Sequence, residues 1–177
     1  MANRRGQEPS GFVVSVLTGG GQPAGAGFLV SPTEVMTCAH VVNAALGRDP
    51  HSQDVPDLTV RLSFPLLPGT PVLGARVDRW LAPPRTGAAG DDIACLRLAG
   101  PVPARAAPAR LATTPQRIGQ IVDVFGYPET PRRPYGSWVE AYLRGPVAGG
   151  RLQLDSTPGA ALRIPSAPVT FRDQASP

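Results

Sequence analysis

Residues 25–42 read Gly25-Ala26-Gly27-Phe28-Leu29-Val30-Ser31-Pro32-Thr33-Glu34-Val35-Met36-Thr37-Cys38-Ala39-His40-Val41-Val42, and this stretch decides the fold. Phe28-Leu29-Val30 is a strand-like apolar run, Ser31-Pro32-Thr33 are turn formers, and Val35-Met36-Thr37-Cys38 is a second strand-like run. The reading is strand, turn, strand, then a short helical turn over Ala39–Ala44. His40 is expected where a sheet ends and the chain changes direction, displayed and not buried.

A second segment, Gly90-Asp91-Asp92-Ile93-Ala94-Cys95-Leu96-Arg97-Leu98, sets two carboxylates at the mouth of another strand, with Asp92 52 residues beyond His40. Asp91 reads as a solvated turn residue, and the other histidine, His51, as a solvated loop residue. Further strand-like runs fall near 11–17, 26–30, 34–38, 57–64, 72–80 and 92–98, enough for one closed six-stranded antiparallel barrel. Pro101, Pro103 and Pro108 mark residues 99–110 as an extended connector. Beyond it, strands are expected near 119–126, 137–143, 151–155 and 167–171. The domain reading is 10–98, a connector over 99–110, and 111–177.

Composition narrows the function classes. A chain of 177 residues with 42% hydrophobic content can bury one core or two small ones. Its 20 glycines and 22 prolines sit between apolar runs, as in a protein of many short strands. All 17 basic residues are arginine, scattered along the chain, so the net charge of +4 forms no basic helix or strand. Nucleic acid is not an expected partner. The run Phe12-Val13-Val14-Ser15-Val16-Leu17 is too short for a signal-peptide core, and no segment approaches the roughly 20 apolar residues of a membrane span. The expected location is the cytoplasm. Two histidines and two cysteines show no ligand-spacing pattern, so no metal or organic cofactor is expected.

Thr37-Cys38-Ala39-His40 and Asp92-Ile93-Ala94-Cys95 resemble the Thr-Ala-Ala-His and Asp-Ile-Ala-Leu motifs of trypsin-like (chymotrypsin-fold) serine peptidases. Val122-Asp123-Val124-Phe125-Gly126-Tyr127-Pro128 is similar to a strand and turn early in the second barrel of the compact bacterial and intracellular members. The resemblance implies an all-β fold of two antiparallel barrels and covalent acyl transfer from a serine. It assigns His40 as general base and Asp92 as the carboxylate that orients it. On this fold Cys38 and Cys95 would both point into the first barrel as buried, unpaired thiols. Cys38, two residues before His40, would face away from the catalytic groups and is not read as a nucleophile.

The nucleophile departs from the family pattern Gly-x-Ser-Gly-x-Pro-Val. The local candidate is Arg163-Ile164-Pro165-Ser166-Ala167-Pro168-Val169, which makes Ser166 the catalytic serine and has neither glycine. Ile164 falls where a backbone N–H should help line the oxyanion hole, and Pro165 restricts it to extended conformations. The sequence ends 11 residues after Ser166, so the second barrel is expected to be incomplete, with an edge open to a partner protein. Three readings stand: a serine endopeptidase acting on a peptide or protein substrate, a catalytically dead or truncated peptidase-fold module that binds a peptide or partner, and an unrelated β-barrel interaction module.

Overall fold

Turn chemistry and apolar runs set the strands of the first unit. The computed structural model describes residues 11–69, 72–85, 91–113, 117–127, 136–147 and 151–156. Ser166 and the strand expected at 167–171 lie outside them. The chain divides into two compact units between Arg110 and Leu111.

In the first unit, Val13–Leu17 forms β1, Pro23–Ser31 β2, Glu34–Thr37 β3, Val60–Ser63 β4, Leu73–Leu81 β5 and Ile93–Leu98 β6, with the helix α1 over Ala39–Ala45. The strands close into an antiparallel barrel in the order β1-β2-β3-β6-β5-β4. Closure leaves no strand edge unpaired and encloses a core in which Val14, Val16, Leu29, Val35, Val60, Leu62, Phe64 and Leu96 are fully buried. The turn between β2 and β3 is built by its own side chains. Thr33 donates its backbone N–H to Ser31 Oγ at 3.3 Å, and the Ser31 hydroxyl donates to Glu34 Oε2 at 2.9 Å.

Helix α1 is short because Gly47, at φ 69°, ends it. The N–H of Gly47 reaches the Ala44 carbonyl and that of Arg48 the Asn43 carbonyl, the double hydrogen bond of a Schellman stop. Val41, Val42 and Ala45 bury the helix against the barrel. The loop that follows is held by side chains. The Asn43 amide donates to the Pro50 and Ser52 carbonyls, and the Trp80 indole donates to the Gln53 carbonyl. Residues 99–110 run back along the barrel, where Ala107 N–H donates to the Gly11 carbonyl and Ala109 N–H to that of Leu29.

The second unit is a three-stranded antiparallel sheet, ordered β7-β8-β9, of β7 (Ile121–Gly126), β8 (Ser137–Val147) and β9 (Arg151–Ser156). Phe125 meets Tyr127 and Trp138 edge-on, at centroid distances of 5.6 and 5.2 Å. Gly136 precedes β8 at φ 79°, and a Cβ there would fall 2.3 Å from the Phe125 ring, so this aromatic cluster requires a glycine. A closed six-stranded barrel in the first unit and a partial antiparallel sheet in the second match the chymotrypsin-like fold anticipated from the sequence.

A Cβ on Gly25 would lie 2.7 Å from both Cγ atoms of Val41, so this glycine sets how closely α1 sits on β2. Gly25→Ala is expected to destabilise the protein by about 1–3 kcal/mol through overpacking. Val41→Ala in the same chain should recover part of that loss, a coupling that urea unfolding of the two single variants and the double variant measures.

Candidate active site

The site begins with a strand register. On the β3–β6 ladder Thr37 faces Ala94 and Met36 faces Cys95. Continued past the end of β3, the ladder sets Ala39 opposite Asp92, and Ala39 N–H reaches the Asp92 carbonyl at 3.4 Å. Thr37 fixes the other side, its hydroxyl donating to the Ala26 carbonyl on β2 at 2.8 Å. Residues 52 apart in sequence thereby become neighbours.

His40 is the second residue of α1, and Asp92 immediately precedes β6. The Asp92 carboxylate takes two hydrogen bonds from this one residue. Oδ1 accepts the His40 backbone N–H at 2.8 Å, and Oδ2 lies 2.5 Å from Nδ1 of the imidazole. The two backbone and side-chain bonds fix both the position and the plane of the ring. The carboxylate side chain is only 11% exposed and the imidazole 39%, so the acid is sheltered while the base keeps access to solvent. With Nδ1–H donating to the carboxylate, the lone pair falls on Nε2. The two side chains that the motifs single out are thus brought within hydrogen-bond reach. Asp92 holds a left-handed backbone, φ 52°, the one non-glycine residue among those described with positive φ. Aspartate is among the few residues that tolerate this region.

Cys38 requires a correction. It lies at the N-cap of α1, beyond the end of β3, and its side chain makes no capping hydrogen bond. One donor atom each from Cys38, His40 and Asp92 all lie within 4.8 Å of one another, so the thiol faces the pair instead of turning from it. Ligand spacing along the chain could not reveal this, because the third member comes from a different strand. Burial, and secondarily the charge of Asp92, push the thiol up to about 11, so it is neutral at ordinary pH and a poor nucleophile. Cys38 packs against the barrel core, whereas the expectation that Cys95 also points into the barrel is overturned. Ala94, Leu96 and Leu98 are the buried residues of β6, which leaves Cys95 on the outer face with Arg97. Its thiol is also raised, by burial first and then by Glu34 and Asp78, against the opposing Arg79 and Arg97. Both cysteines are free. His51 is exposed in the loop after α1, with Nδ1 3.2 Å from the Pro84 carbonyl oxygen.

The family model for the trypsin-like peptidase domain matches residues 25–163, a span that includes the His40 and Asp92 motifs and stops before Ser166. No curated protein matches the chain in sequence. Among solved structures it is similar to neuropsin, a serine protease expressed in the limbic system of mouse brain, at 16% identity and a TM-score of 0.58. That match covers 86% of this chain and 72% of neuropsin. Kallikrein-related peptidase 10 is similar at 19% identity and a TM-score of 0.55, over 83% of this chain and 70% of its own. At these identities the likeness is one of fold.

The Cys38 thiol gives a signed pH dependence. A thiol with an ordinary value of 9.0 that is raised to about 11 on folding keeps its proton in the native state where the unfolded chain has released it. Stability is therefore expected to fall as pH rises from about 9 to about 11. Urea unfolding of chelator-treated protein across that range should show a smaller loss for Cys38→Ala than for the unmodified chain.

Proposed function

The chain belongs to the trypsin-like peptidase domain family, and from that premise we propose that it is a serine endopeptidase working through an acyl-enzyme. His40 is the general base, Asp92 its orienting carboxylate and Ser166 the nucleophile. The observation that carries the reading is the 2.5 Å contact between His40 Nδ1 and Asp92 Oδ2, with the second carboxylate oxygen held by the His40 N–H.

In this chemistry Ser166 Oγ attacks the scissile carbonyl as its proton passes to Nε2 of His40. Asp92 keeps Nδ1 protonated and stabilises the imidazolium that forms. The proton then goes to the leaving amine, and water repeats the sequence to release the acid. The substrate is a peptide or protein. Two unpaired thiols support a reducing, cytoplasmic setting.

A second reading, a peptidase-fold module that binds a peptide or partner protein without cutting it, is favoured by one observation. No glycine flanks Ser166, and Ile164, restricted by Pro165, stands where an oxyanion donor is needed. Losing one such donor costs roughly 100- to 1,000-fold in rate.

A fluorophosphonate probe, with the adduct located by peptide mass spectrometry, separates the two. The expected result is an adduct on Ser166 that forms slowly, by up to roughly 1,000-fold relative to an intact oxyanion hole. It should vanish in Ser166→Ala and in His40→Ala. A folded chain that takes no adduct sinks the hydrolase and leaves the binding module.

A further inference from the structure

Hydrolysis gives Cys38 nothing to do. The motif that this segment resembles carries alanine at that position, and the thiol caps no helix N–H. Yet sulfur, imidazole nitrogen and carboxylate oxygen converge there within 4.8 Å. We propose that Cys38, His40 and Asp92 bind a divalent cation of the zinc class, with water as the fourth ligand, and that the bound cation takes His40 out of use as a base.

The donor set suits that cation. Zinc takes thiolate sulfur, imidazole nitrogen and carboxylate oxygen at about 2.0–2.3 Å, and tetrahedral placement at those lengths separates the donors by about 3.3–3.7 Å. The 2.5 Å His40–Asp92 contact must then open by roughly 1 Å, while the sulfur, no more than 4.8 Å from the other donors, closes by at most roughly 1.5 Å, both within reach of side-chain torsions. The ring is 39% exposed, so water can reach the site as the fourth ligand.

The protons balance without an oxidant or reductant. The Cys38 S–H bond breaks as the sulfur–metal bond forms, and that proton leaves to solvent. The cation takes the Nδ1 lone pair and the imidazole stays neutral, its proton now on Nε2, while Asp92 exchanges a hydrogen bond for a metal bond. Nε2 can then no longer accept a proton from a serine. That consequence rests on the reading of His40 as base; the binding itself does not.

The test is a titration of the reduced, chelator-treated full chain with Co²⁺, read by the near-ultraviolet thiolate-to-cobalt charge-transfer band, followed by displacement with Zn²⁺. The band is expected in the unmodified chain and in Cys95→Ala. It should disappear in Cys38→Ala, whose Zn²⁺ affinity should fall by more than the roughly 10- to 100-fold that loss of a supporting residue costs at metal sites. Circular dichroism checks that this variant, which restores the alanine of the motif, is folded. No band in the unmodified chain, or a band that survives Cys38→Ala, overturns the proposal. Because the readout needs no turnover, its failure is distinct from a failure to label Ser166.

Discussion

The pairing of Thr37 with Ala94 is the constraint on which the site depends. Strand β3 delivers the helix that carries His40, and β6 begins one residue after Asp92, so only this register brings imidazole and carboxylate together. A slip of one residue would turn the buried face of β6 outward. A slip of two would keep that face but move the carboxylate about 7 Å along the ladder, beyond any direct hydrogen bond. Register is therefore a chemical specification as well as a packing one.

The forces that hold the register are unequal. Along the outer face, Arg97 bridges Asp78 at 3.2 Å and Glu34 at 3.3 Å, a cross-strand set spanning β3, β6 and β5. Arg97 is 54% exposed, and ion pairs so open to solvent add little to stability. Inside, Val35 and Leu96 face each other on the same two strands, both fully buried. A buried valine or leucine contributes about 1.5–3 kcal/mol, so the interior decides the pairing and the ion pairs confirm it.

The strand-turn-strand over residues 25–42 was legible because its signals are local: a turn with its own hydrogen-bonding side chains, flanked by apolar runs. The contact of His40 with Asp92 was legible only through the resemblance of two motifs, since no local rule pairs residues 52 apart. What escaped the sequence was side-chain direction at the edges of elements. Cys38 looked like the last residue of a strand, where alternation would aim it away from the pair, but β3 ends at Thr37 and the helix begins at Ala39. At such a junction neither the two-residue nor the 3.6-residue period governs, and the thiol takes the direction its extended backbone gives it. Cys95 was assigned to the interior from its motif, although the alternation of Ala94, Leu96 and Leu98 puts it outside.

Asp92 sits in a backbone conformation that few side chains accept. Asparagine also enters this region readily, and it has almost the same shape as aspartate. One base change in an aspartate codon produces it. A descendant of this gene could thus exchange the negative charge beside His40 for a neutral amide while keeping the turn, the strand register and the barrel. The conformation that positions the acid also marks a short evolutionary path by which the scaffold could outlive its chemistry.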